Sequence, residues 1–220
     1  MSAVYPIKQG QSASWRFLSF LGRFVVFALV IAGALYRFST PLAESLLPAI
    51  EAEFKWLDDT YDIKRLYVDQ EGADHVVRVV VSQARCIVLI DRAFCGDPRG
   101  RANASTLIGN ITLPAALLMS LVLAWPVIRS TELVWRAVFL PFGLAIVWAL
   151  DVPFVLWSAI WSLHVDAFAP DMFSPLLIWT QFLQGGGRLA LAILLGILIT
   201  MGARWCAGIS KRAMPEAVSS

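Results

Sequence analysis

Charge is what this sequence has least of. Only 15% of its 220 residues are Asp, Glu, Lys or Arg, where a water-soluble domain carries roughly a quarter. The net charge of +2 leaves no basic footprint for nucleic acid. The two histidines, His75 and His164, are far apart and lack a ligand spacing such as H-x-x-x-H, so no metal site is expected. No phosphate-binding loop, dinucleotide fingerprint, nucleophile elbow or haem-attachment motif occurs, and no cofactor is expected. The first apolar run has no small-x-small cleavage site behind it and is too long for a signal core. It reads as a retained anchor.

Apolar residues fill the gap. They make up 58% of the chain, with a mean hydropathy of +0.68, and lipid is the environment that accepts such an excess. Four long apolar segments stand out, at 15–37, 106–128, 137–163 and 175–204. Each reaches the roughly 20 residues that cross a ~30 Å hydrocarbon core. The fold class expected is therefore a membrane all-α, four-transmembrane-helix bundle, with a small α+β segment at 38–105 between helices 1 and 2.

Lysine and arginine give the orientation. Lys8, Arg16 and Arg23 flank the first segment, Arg129 and Arg136 sit in the turn at 129–136, and Arg204, Lys211 and Arg212 close the last segment. The loop at 164–174 has neither lysine nor arginine, and 38–105 is acidic on balance. The N-terminal tail (1–14) and the C-terminal tail (205–220) are thus expected in the cytoplasm. The segment at 38–105 is then expected in the periplasm, with the bacterial inner membrane as the location. Within that segment, apolar residues at helical spacing over 41–57 predict an amphipathic helix on the membrane surface or on the strands after it. β-branched runs at 62–68 and 75–81 predict a hairpin turning at 69–74, with a third strand at 86–90 and a loop at 96–105. Asn103, Ala104 and Ser105 also form a glycosylation sequon, relevant only in a eukaryotic cell.

Two constellations could carry chemistry. Asp151 and Arg188 lie inside apolar runs, each ~18–20 Å below the expected outer boundary on antiparallel neighbours. An unpaired charge there costs at least ~2.5 kcal/mol, so the two are expected to pair. Gly185, Gly186 and Gly187 would allow another helix to approach closely, and Gln181 and Gln184 would share the pair's polar side. The pair reads as a structural lock, a proton path, or a site for a lipid or peptide carboxylate. Cys86 and Cys95 read as a disulfide in an oxidising compartment. The alternative makes Cys95 a nucleophile with His75 or His164 as its base. Cys206 reads as an inert thiol.

The layout resembles the accessory membrane proteins associated with bacterial exosortase systems. One leading helix, an external segment with strands and three further helices are similar to theirs. So are Asn110, Ile111, Thr112, Leu113 and Pro114 opening the second helix, Leu123, Ala124, Trp125 and Pro126 closing it, and the stretch from Phe182 through the glycines to Arg188. The resemblance implies a role near protein sorting or exopolysaccharide export. Cys95 followed by Gly96 only faintly echoes the nucleophile of exosortases, and their arginine-bearing helix is not evident downstream. The leading expectation is a non-enzymatic accessory protein that touches the lipid bilayer and a partner membrane protein or exported substrate. A membrane-embedded cysteine peptidase or transpeptidase, and a small transport or proton-coupling subunit, are the alternatives.

Overall fold

The computed structural model describes residues 13–89, 92–95 and 100–213. The tails expected at 1–12 and 214–220 lie outside them. Helix α1 (Ala13–Arg37) runs into α2 (Ser39–Leu57). A three-stranded antiparallel sheet follows, β1 (Tyr61–Glu71), β2 (Asp74–Gln83) and β5 (Ala102–Leu107), in the order β1-β2-β5. Between β2 and β5 sits a short hairpin, β3 (Ile87–Leu89) and β4 (Arg92–Phe94). The rest is helical: α3 (Ile108–Ala124), α4 (Ser130–Phe168), α5 (Pro175–Phe182), one wide π turn (Leu183–Gly187) and α6 (Arg188–Ala213).

Three helical stretches are long and apolar enough to cross a membrane: Phe17–Arg37, Ser130–Phe168 and Pro175–Gly208. The segment expected to span at 106–128 forms a shorter apolar helix of 17 residues, about 25 Å long at 1.5 Å per residue. Its first expected turn is instead the end of β5, where Ala102 to Leu107 pair with Val81 to Val76 of β2. At the far end Trp125 is extended and Pro126 follows, so the helix stops. The loop expected at 96–105 is thus partly strand. Ala104 and Thr106 face inward and Asn103 and Ser105 outward, an alternation that the weak strand preference of Ala, Asn and Ser conceals.

The β1–β2 hairpin turns on Gly72 and Ala73, and Gly72 takes the left-handed φ of 63° that the tight turn requires. Val77, Val79 and Val81 on the inner face of β2 pack with Ala43, Ile50 and Phe54 of α2, forming a head. The amphipathic face of α2 is therefore on the strands. The other wall of this core is α4, which contributes Val152, Leu156 and Ile160. Helix α4 has 39 residues, so it is ~58 Å long, and its second half belongs to the head. It overruns both expected borders. The turn expected at 129–136 shrinks to the few residues before Ser130, and the loop expected at 164–174 begins only after Phe168, leaving His164 helical.

A second core lies below the head, where Leu118 and Val122 of α3 meet Val147 of α4 and Ala192 and Ile199 of α6. Close helix contacts there use Gly143 and Gly196. A Cβ on Gly143 would lie 2.5 Å from Ile199 Cδ1, and one on Gly196 would lie 2.6 Å from Leu121 Cδ2. The run at Gly185, Gly186 and Gly187 serves a different purpose from the helix packing expected of it. Gly186 adopts φ 107° at a kink between α5 and α6, and a Cβ on Gly187 would lie 2.6 Å from the Phe182 carbonyl oxygen. These glycines let one helix bend over itself. Gly187→Ala is expected to cost ~1–3 kcal/mol through overpacking, while Gly185→Ala, which meets nothing within 4 Å, should melt like the parent. Equal melting temperatures for both variants in mild detergent would refute this role.

Candidate functional site

The junction between head and lower bundle gathers the chain's most unusual side chains. Asp151 lies on the face of α4 turned toward α6 and is 3% exposed. The kink at Gly186 brings Arg188, the first residue of α6, against it, and Arg188 Nε donates to Asp151 Oδ1 at 2.8 Å. The same Nε lies 2.8 Å from the second carboxylate oxygen, Oδ2, so one N–H faces both oxygens. Gln181 and Gln184 are exposed and make no bond to the pair. The turns of α4 that follow the pair, at Val152, Leu156 and Ile160, are inside the head core.

One face of α4 beside this pair opens into a cavity of about 670 Å³. Leu150, Phe154, Trp157 and Trp161, at helical spacing, form one wall, and Phe173 and Trp179 form part of the other. Indole hydrogen bonds hold the walls. Trp179 Nε1 donates to the Leu150 carbonyl at 3.0 Å, and Trp157 Nε1 donates to Asp58 Oδ2 at 3.1 Å. Phe173 projects beside the opening and is 76% exposed. Such a surface takes an apolar ligand by area and shape, with aromatic rings giving large contact at small entropic cost.

A second ionic layer, unforeseen in the sequence, closes the lower bundle. Glu132 and Arg136, one turn apart on α4, are 1% and 3% exposed and form an ion pair. Arg136 also donates to the carbonyls of Val122 at 2.8 Å and Trp125 at 2.7 Å, which are the orphan acceptors at the end of α3. Arg204 of α6 joins from the side, with Nε 3.2 Å from Glu132 Oε1 and its guanidinium 6.0 Å from the Trp125 ring centroid. The i,i+4 spacing of Glu132 and Arg136 was the available signal. Their place beside an apolar run made them look like a solvated turn.

The head's cysteines are joined. Cys86 and Cys95 form a disulfide with Cα atoms 4.2 Å apart, closing the open end of the β3–β4 hairpin. In this state the Cys95 sulfur is not available as a nucleophile. His164 Nδ1 lies 3.3 Å from the Tyr61 hydroxyl and 3.2 Å from the Ile160 carbonyl oxygen. Burial, helped by the Asp58 carboxylate, holds the Tyr61 phenol above the usual tyrosine range. His75 is the second residue of β2, at the β1–β2 turn end of the hairpin, where it pairs with Gln70. Cys206 is a free, half-buried thiol. No group of three or more His, Cys, Asp or Glu able to hold a metal occurs among the described residues.

No family model, curated protein or solved structure matches this chain.

Proposed function

We propose that this chain is a four-span inner-membrane protein, and that its aromatic cleft receives an apolar segment of a partner membrane protein or exported substrate. The cleft carries the reading. It is an apolar, open cavity walled by Phe154, Trp157, Trp161 and Trp179, at the level where the head meets the spans. Aromatic anchors in such a pocket are the usual centres of binding energy at an interface.

The four-span count rests on two ionic layers. Asp151 lies 19 residues above Glu132 on α4, or ~28 Å, and Arg188 lies 16 residues from Arg204 on α6, or ~24 Å. The apolar section between them approaches the ~30 Å of a bilayer core. Helix α3 lies within that section against α1, α4 and α6, so its 17 residues suffice as the fourth, central span. The lysine and arginine pattern puts the head outside the cytoplasm and both termini inside. The Cys86–Cys95 bond agrees, because disulfides persist in oxidising compartments. The resemblance to exosortase-associated accessory proteins makes an exosortase-type sorting or exopolysaccharide-export component the first partner class to test.

A photo-cross-linking residue at position 173 tests the cleft in cells. The expected result is one defined adduct, identified by mass spectrometry as a membrane or exported protein. The adduct should be lost with Phe154→Trp, which fills the cleft while leaving both indole hydrogen bonds. Lipid adducts alone, or a protein adduct indifferent to that filling in a normally folded variant, would overturn the proposal.

A further inference from the structure

On the side of the junction formed by α1, α3 and the β1–β2 turn lies a second cavity, of about 730 Å³. That is within the range of roughly 300–1,000 Å³ typical of small-ligand sites. Its two ends differ chemically. The lower wall is mostly apolar, with Ala32 and Leu35 from α1 and Leu113 and Ala116 from α3 beside the Thr112 hydroxyl. The upper rim carries Arg37 at the end of α1, and Asp74 and His75 at the start of β2. Arg37 and Asp74 take part in no ion pair among the described residues. Two opposite charges therefore line one rim without joining each other, above a mostly apolar trough running down between two helices.

We infer that this cavity binds a phospholipid with a zwitterionic, primary-amine headgroup, such as phosphatidylethanolamine, in the outer leaflet. The phosphate meets the Arg37 guanidinium, with the His75 imidazole as a further donor, and the ammonium meets the Asp74 carboxylate. The acyl chains follow the trough past Leu35 and Leu113. A purely anionic headgroup would satisfy Arg37 but leave Asp74 facing like charge. This inference rests on the four-span reading, which brings the end of α1 to the outer boundary, and not on the aromatic cleft.

Native mass spectrometry of the delipidated full chain tests it, titrating phosphatidylethanolamine, phosphatidylglycerol and soluble glycerophosphoethanolamine separately. Wild-type protein is expected to bind one phosphatidylethanolamine about two- to fivefold more tightly than phosphatidylglycerol, the scale of one partly screened ion pair. The soluble headgroup should bind far more weakly, since it lacks the chains that occupy the trough. Asp74→Asn should remove the preference between the two lipids, and Arg37→Gln should weaken both. Equal affinity of the wild type for both lipids would overturn the inference without any variant having to fold. So would an unchanged preference in Asp74→Asn, or headgroup binding as tight as lipid binding. Protease protection of the head in sealed membranes separates the two levels. Normal insertion without lipid preference sinks the lipid site alone, whereas loss of insertion sinks the four-span reading with it.

Discussion

Replacing Arg136 with leucine is expected to leave little or no folded protein. The guanidinium is 3% exposed and serves two partners that nothing else can fully satisfy. The first is Glu132, itself 1% exposed. Breaking a buried ion pair by removing one member costs about 3–5 kcal/mol, because the remaining charge cannot reach water. Arg204 stays within 3.2 Å of Glu132 and offsets part of this loss. The second partner is the end of α3, where the Val122 and Trp125 carbonyls lose their donor. Each buried acceptor left unmade adds about 1–3 kcal/mol. A membrane domain of this size has little more stability than that to lose. The double variant Glu132→Leu, Arg136→Leu should recover the ionic part but not the carbonyl part, and so melt between the single variant and the parent. Size-exclusion profiles and melting curves in mild detergent measure this. An Arg136→Leu protein that stays monodisperse and melts within a few degrees of wild type would show that the layer is not holding α3 to α4.

Asp151→Ala is expected to produce the second large loss. It strands Arg188 next to a core helix, at a cost of at least ~2.5 kcal/mol if lipid surrounds it and more if protein does. Exchanging the charges, Asp151→Arg with Arg188→Asp, should restore the expression that either single reversal loses. Three readings of the pair then separate. A structural lock predicts that the exchanged protein folds and still forms the position-173 adduct. A proton path or a carboxylate site depends on which helix carries which charge, so it predicts a folded protein without function. Continued loss of expression in the exchanged protein would mean that the contact between Asp151 and Arg188 is incidental to stability.

The Arg136 result would also explain why the two ionic layers differ in visibility. Asp151 and Arg188 stand out in sequence because each interrupts a long apolar run, and an isolated charge in such a run needs a partner. Glu132 and Arg136 precede an apolar run, among other charges, and look solvated. Only the fold of α3 back against α4 buries them. Their role depends on carbonyls ten to fourteen residues earlier in the chain, and hydropathy carries no record of such contacts.

By itself the sequence determined the apolar helices at α1, α4 and α5–α6, the mixed segment between α1 and α3, and the β1–β2 hairpin. Those features are sums over neighbouring residues: transfer to an apolar medium adds residue by residue, and turn preference is local. The tertiary structure alone decided four things. It made 102–107 a strand, because β2 offered an unpaired edge to a segment of low strand preference. It put the second half of α4 into the head core. It assigned close helix packing to Gly143 and Gly196 and a kink to Gly186, since a glycine's use depends on what stands opposite it. It also joined Arg136 to the end of α3. Each is an interaction between residues distant in sequence, and a distant pairing is worth its energy only once the intervening chain has folded to bring the partners together.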